Sequence, residues 1–494
     1  VTQTPQYEAV IVGAGFGGMG AAIQLGRLGI RNYVIVERAD DLGGTWYLNH
    51  YPGLAVDIES VTYSFSFEPN PNWSRRYAPG AELRQYANHI ADKYELRSHM
   101  RFNHDVEQVA WDEASHAWTV SIQGQPSMTA RFLFLATGYL SRPQRPSIPG
   151  IEDFQGKVIH TADWDDSYDL NGKRVAAIGT GATAVQLLPT IAPQLAHLDV
   201  YQRTAIWCAP KPDMPIGKPV QKMFASMPFT QRAMRMVSDT RLEFMTNVAL
   251  FKHESLPWMT KVAEKACIAN IARGVKDKAL RKKLIPNYPF GCKRPTFSNT
   301  YYPMFARDNV SLVTDSIDHI ERDAIVTTDG TRREMDTLIL ATGFKVWERD
   351  TFHSILGRQG VELRDHWKRT RFESYQGITI PGFPNLFYLP SPYSYTGLSY
   401  FYTLEGQMLH MDRLLSAMRE QSATTFEVTA EATDGYLTRM HKRFGPSVFM
   451  LANCGGANSY YFDPHGAPSL IRPMPVSKAD KEQSSFPLSD YVFG

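Results

Sequence analysis

The chain has 494 residues, 43% of them apolar and 21% charged, and a formal charge of +2. That length is too great for one hydrophobic core and calls for two or three domains, while the near-neutral balance leaves no electrostatic footprint for nucleic acid. The opening residues VTQTPQYEAV have neither the basic stretch nor the long apolar run of a secretory signal. The longest apolar runs, such as FLFLATGYL, have the length of buried strands rather than of membrane spans. A cytoplasmic chain with no membrane and no nucleic-acid partner is expected. The cysteines, Cys208, Cys267, Cys292 and Cys454, form no CxxC pair, which argues against zinc and against a redox disulfide. The histidines lack ligand spacing, so no metal is expected.

The first elements are written in YEAVIVGAGFGGMGAAIQLGRLGIRNYVIVER. Ala9 to Val12 reads as a parallel strand, followed by Gly13-x-Gly15-x-x-Gly18, a helix, and a second strand from Tyr33 to Val36. Gly13 suits the tight turn, Gly15 lets the backbone approach a pyrophosphate, and Gly18 packs helix on strand. The helix start, with Phe16 beside Gly15, faces the phosphates. Glu37 stands where a carboxylate holds ribose hydroxyls.

The plan repeats in KRVAAIGTGATAVQLLPTIAPQLAHLDVYQRT. Val175 to Ile178 is a strand, Gly179-Thr180-Gly181-Ala182-Thr183-Ala184 is the turn, and a helix leads to the strand Leu198 to Tyr201. Gln202 and Arg203, followed by Thr204, replace the acid. A guanidinium suits a 2′-phosphate that a carboxylate would repel, so this module should prefer NADPH. Two LATG strings, at 135–138 and 340–343, each end a strand. Two dinucleotide sites in one chain imply FAD and NADPH as the pair. The fold class is therefore α/β, with two Rossmann-like dinucleotide-binding domains.

Between them, residues 211–290 read as a helical insertion. Pro210, Pro212, Pro215 and Pro219 mark a stiff linker, and Met234, Val237, Phe244, Val248 and Phe251 fall on one helical face. The basic cluster at Lys276, Lys278, Arg281, Lys282 and Lys283 reads as a solvated face. The expected division is 1–145 (FAD, first part), 146–210 (NADPH, first part), 211–290 (insertion), 291–376 (NADPH, second part) and 377–494 (FAD, C-terminal part). Loops at 350–375 and 391–405 are expected to set the size of a substrate pocket.

Three further strings point to a family. Phe154-x-Gly156-x-x-x-His160-x-x-x-Trp164-Asp165 resembles the fingerprint of the Baeyer–Villiger monooxygenases. GGTWYLNHYPGLAVD, from Gly43 to Asp57, resembles a second pattern of that family, and PFGCKRP, with Lys293 and Arg294, a third. The resemblance implies an FAD- and NADPH-dependent enzyme that inserts one atom of O₂ next to a ketone carbonyl, giving an ester or lactone through a C4a-peroxyflavin and a Criegee intermediate. It implies Arg294 as the catalytic cation, Asp57 as its partner near the flavin, and Lys293 at the 2′-phosphate. It adds Gly44, Thr45, Trp46 and the Val106 backbone to the FAD contacts, and gives His160 and Trp164 a gating rather than a chemical role. The chemistry needs a fixed positive charge and exclusion of water, and a guanidinium keeps its proton in a dry site.

The C-terminal third departs from the pattern: Tyr460 stands where many relatives carry a Trp, and the usual Gly-Pro after FPNLF is missing. The aromatic run SPYSYTGLSYFYTLEG reads equally as pocket or as core. Two alternatives stay open, a flavin monooxygenase acting on nitrogen or sulfur and an NADPH-binding redox sensor. A monomer is expected.

Overall fold

Ala9, Val10, Ile11 and Val12 are shielded from water on both faces, which a strand tolerates only in the middle of a sheet covered on both sides. The computed structural model describes residues 4–347, 354–397 and 399–494, and places this strand, Tyr7–Val12, at the centre of an eight-stranded sheet. It pairs in parallel with Tyr33–Val36 on one side and Gln125–Leu135 on the other. Beyond Gln125–Leu135 the antiparallel strands Ala117–Ile122 and Val106–Asp112 continue the sheet. The C-terminal part returns to it through Leu386–Tyr388, in register with Leu133 to Leu135.

The second sheet is parallel throughout. Its order is Val310–Val313, His197–Tyr201, Arg174–Ile178, Thr337–Leu340, Lys157–His160. In both sheets the strand before the glycine turn has neighbours on either side, so each turn opens at a topological switch point, where ligands of such sheets bind. Strand Ser354–Leu356 pairs with Val106–Asp112 of the first sheet, so the chain is back in that sheet before residue 376. Of the loops expected to shape a pocket, residues 350–353 and 398 lie outside the described residues.

The insertion is helical, with Lys218–Ser226, Pro228–Phe244, Pro257–Gly274 and Lys278–Leu284. Its apolar periodicity does not mark a buried face. Val237 and Phe244 are exposed, and Met245–Leu250 is a π turn that breaks the helical register before Val248 and Phe251. The helix Pro228–Phe244 is anchored by polar atoms. Gln231 donates to the Asn70 carbonyl, Arg235 to the carbonyls of Val61 and Ser64, and Thr62 donates to Asp239 while its hydroxyl meets that of Ser238.

The cysteine spacing speaks against a local redox pair alone. Cys292 and Cys454 are bonded, with Cα atoms 5.2 Å apart and 162 residues between them in sequence. Spacing arguments test only local pairs, and this one is made by the fold. Cys208 and Cys267 are buried thiols, and burial pushes their pKa up, to about 11 and about 12. Among the described residues no group of His, Cys, Asp or Glu could hold a metal, and no helix is long and apolar enough to cross a membrane.

Candidate active site

Gly13 has φ +109°, and a Cβ there would sit 2.6 Å from the Ala136 carbonyl oxygen; one on Gly18 would sit 1.9 Å from the Gly13 oxygen. Both positions are closed to any side chain. Gly15 and Gly44 approach so closely that a Cβ on Gly44 would lie 3.0 Å from the Gly15 Cα, so the two glycine-rich strings face each other across backbone alone. Helix Phe16–Arg27 has no side-chain cap at its start. Its first N–H groups are therefore available to an anion. Glu37, buried at the end of its strand, accepts the N–H of Ala14 at 2.8 Å and of Ala39 at 3.0 Å, and its oxygens retain lone pairs for hydroxyl donors. Thr45 opens the short helix Thr45–Leu48, and Trp46 meets the Tyr63 ring edge-on at 5.6 Å. This cradle of bare backbone and one carboxylate fits a flavin dinucleotide.

Two residues assigned to the FAD contacts have buried side chains. Phe16 packs in the core against Phe401 at 4.7 Å, which leaves only its backbone for a ligand. Val106 is buried in a strand opposite Ile122, so it too can act only through its backbone.

The second turn has the same backbone logic. Gly179 has φ +111°, and a Cβ would stand 2.3 Å from the Ala341 oxygen, whereas Gly181 faces open space. Helix Ala182–Ile191 begins without a side-chain cap, with Ala182 exposed and Thr183 half-buried at its first turn. Thr180 Oγ1 donates to the Thr204 carbonyl at 2.9 Å, and Asn458 Nδ2 donates to Thr204 Oγ1 at 3.1 Å. Lys293 comes in from a distant loop to join Arg203. Burial lowers the Lys293 pKa, and the positive charge of Arg203 lowers it further. Among the described residues neither cation has a carboxylate partner, and two neighbouring positive charges suit the 2′-phosphate of NADPH.

Asp57 and Arg294 meet two residues beyond Ala55, whose N–H and carbonyl bond the side chain of Gln186 in helix Ala182–Ile191. Arg294 Nε donates to Asp57 Oδ2 at 3.0 Å and Nη2 to Oδ1 at 2.7 Å. Burial alone would pull the Arg294 pKa down. Asp57, Tyr395, Tyr460 and Tyr461 outweigh it, and the net pKa stands well above the ordinary value. Arg294 is thus a permanent cation, and its guanidinium keeps further N–H donors beyond those spent on Asp57. Burial raises the pKa of Tyr395 and Tyr460, and Arg294 partly offsets it, so both hydroxyls remain protonated donors.

The disulfide fastens this arrangement. Cys292 is two residues before Arg294, and Cys454 is six before Tyr460. Lys211 also reaches the site. Its ammonium donates to the Val56 carbonyl at 3.1 Å, next to Asp57, and lies over the Tyr77 ring. Lys211, Tyr395 and Tyr461 were not singled out from the sequence. Lys211 was hidden in a proline-rich stretch, Tyr395 in an aromatic run most of which is core, and Tyr461 directly behind Tyr460.

The fingerprint residues lie apart from Asp57 and Arg294. His160 is fully buried at the end of its strand, its Nδ1 accepting the Ala162 N–H at 3.1 Å, and burial lowers its pKa. Trp164 is buried in the core of the second module. Asp165 holds Lys157 at 2.6 Å, and Asp166 reaches His50 of the first module at 2.9 Å.

A profile of the family described as pyridine nucleotide-disulphide oxidoreductase matches residues 10–249, a span that ends before either bonded cysteine. A Baeyer–Villiger monooxygenase of Streptomyces coelicolor is 36% identical over 98% of this chain and 92% of its own length. One of Pseudomonas aeruginosa is 37% identical over 92% of this chain and 85% of its own. The chain belongs to the Baeyer–Villiger monooxygenase family. It is an NADPH-dependent flavin monooxygenase. Among solved structures, an oxidized steroid monooxygenase bound to NADP is 29% identical with a TM-score of 0.87, each chain 99% covered. The OTEMO complex with FAD and NADP is 27% identical with a TM-score of 0.86, both chains fully covered.

Proposed function

We propose that this monooxygenase converts ketones to esters or lactones, with Arg294 as the cation that stabilises the negative charge developing on the substrate oxygen. The observation that carries the reading is the two-pronged Arg294–Asp57 pair. FAD bound in the first cradle would supply the redox chemistry, with NADPH in the second as the reductant. The Gly13, Gly15 and Gly18 turn, the Phe16 backbone, Glu37, the Gly44-Thr45-Trp46 string and the Val106 backbone hold FAD. The segment Gly179 to Thr183, Thr204, Arg203 and Lys293 hold NADPH.

Asp57 fixes the plane of the guanidinium, so donors point to one place without reorganising during reaction. Tyr395 and Tyr460, protonated and close to Arg294, add neutral donors. Buried Tyr395 and Tyr461 shield part of Arg294, whose side chain is 29% exposed, and bound cofactor and substrate would exclude the remaining water and strengthen its charge. His160 and Trp164 act in gating. The working unit is read as a monomer placed in the cytoplasm, where NADPH is kept reduced. The FAD unit comprises residues 1–145 and the C-terminal part, and the NADPH unit 146–210 with the stretch from 291, with the return to the first sheet drawn in to Ser354.

A panel of cyclic ketones, aryl ketones and a thioether, with NADPH and isotopically labelled O₂, tests the reaction class. One labelled atom inserted beside a carbonyl is the expected product. Label on sulfur alone would replace the reading with heteroatom oxygenation.

A further inference from the structure

The insertion is the most unevenly charged and most exposed apolar part of the molecule. Residues 211–290 contain fifteen Lys and Arg against six Asp and Glu, a net +9 in a chain whose total is +2. Five of those carboxylates are already engaged. Asp213 pairs with Arg75, Asp239 with Thr62, Glu243 with the Val476 N–H, Glu264 with the Phe290 N–H, and Asp277 caps its own helix. Lys222, Arg232, Lys252, Lys261 and Lys265 remain exposed.

The same segment carries eleven of the sixteen exposed large apolar side chains among the described residues. Helix Pro228–Phe244 is oriented with its polar side inward. Gln231, Arg235 and Ser238 are buried, whereas Phe229 is 66% exposed, Met236 65%, Val237 68% and Phe244 55%. At 100° per residue these four fall on one stripe about 100° wide. On helix Pro257–Gly274, Trp258 and Val262 are 59% and 55% exposed, with Lys261 and Lys265 beside them. A monomeric protein seldom leaves such an apolar face uncovered.

We propose that this face docks on the surface of an anionic lipid bilayer. Exposed aromatic and aliphatic side chains, with Arg232 on the same helix and Lys261 and Lys265 on the other, match interfacial helices, whose apolar side enters the boundary between headgroups and acyl chains while the cations meet lipid phosphates. A second copy of the chain fits less well, because two strongly positive faces would repel. The contact is peripheral, so it agrees with the lack of a membrane-crossing helix among the described residues. It replaces the expectation that no membrane is involved.

The test is co-sedimentation of the full-length holoenzyme with vesicles of phosphatidylcholine, pure or with about one-third phosphatidylglycerol. We expect binding to the anionic vesicles at least about tenfold tighter than to the neutral ones, weakened by salt. The double variant Phe229→Asp, Val237→Asp should lose this binding by a further factor of about ten or more. A second variant, Lys261→Glu with Lys265→Glu, should lose the preference for anionic lipid. NADPH oxidation in vesicle-free buffer should match wild type in all of them, since these side chains lie on the solvent face. No binding to anionic vesicles, equal binding to both compositions, or binding indifferent to both variants would overturn the proposal, leaving an acidic protein as the partner chemistry. A vesicle-free dimer that the Asp pair dissociates would overturn it in favour of self-association.

Discussion

Arg294 and Asp57 are 237 residues apart in sequence, and two parallel N–H donors of the one grip both oxygens of the other. A carboxylate between two loops from different parts of the chain would be costly to bury alone. Paired in this geometry, it locks the guanidinium plane and leaves the Nη1 donors unspent on the carboxylate. The disulfide at Cys292 and the ammonium of Lys211 beside Val56 hold the two loops from either side.

The Arg203–Lys293 pair should set the choice of nicotinamide cofactor. We expect Arg203→Ala to lower kcat/KM for NADPH by about ten- to a hundredfold, the loss of one charge-assisted bidentate contact, and to leave that for NADH nearly unchanged. Steady-state kinetics with both cofactors reads the ratio; a ratio that does not move would dissociate Arg203 from the phosphate.

The same pair carries a pH signature. Burial and Arg203 both depress the Lys293 pKa, so its positive charge is present at low pH and is lost, as pH rises, earlier than for a free lysine. KM for NADPH should therefore rise on the alkaline side while that for NADH stays flat. Lys293→Met should abolish the rise and weaken NADPH at every pH.

Gly13 tests the backbone cradle. Its φ of +109° and the 2.6 Å approach of the Ala136 oxygen leave no room for a methyl group. Gly13→Ala should yield folded protein that purifies colourless or loses FAD on dilution, measured as the flavin-to-protein absorbance ratio. Full flavin content would show that the turn does not touch the cofactor.

His410 is fully buried between Gln483 and the Tyr491 hydroxyl, and burial lowers its pKa to about 3. A neutral imidazole with a depressed pKa contributes its stability above the unfolded value near 6.5 and loses it as pH falls toward 3. Each unit below about 6.5 should cost about 1.4 kcal/mol from this group until the lower pKa is reached. Denaturant unfolding of His410→Gln should show a lower stability at neutral pH and a shallower slope on the acid side.

Both nucleotide modules were legible in the sequence because strand, glycine turn, helix and strand are local patterns with a backbone cause, and Gly13 and Gly179 show that cause directly. Arg294 and Asp57 were legible only through family strings, since nothing local says that residues so far apart will meet. Lys211, Tyr395 and the Cys292–Cys454 bond escaped for the same reason. The insertion misled in a different way. Its apolar period is genuine, but an amphipathic helix does not say which side faces the core, and polar anchors at Gln231 and Arg235 turned it over.

The most direct measurement is pre-steady-state kinetics of Arg294→Ala, following anaerobic reduction of the flavin by NADPH and, separately, ester formation from a ketone that wild type accepts. We expect reduction within a few-fold of wild type and ester formation lowered by about a hundredfold or more. Unchanged ester formation, or a loss of reduction as large as the loss of product, would contradict the role of Arg294 in the oxygen-transfer step.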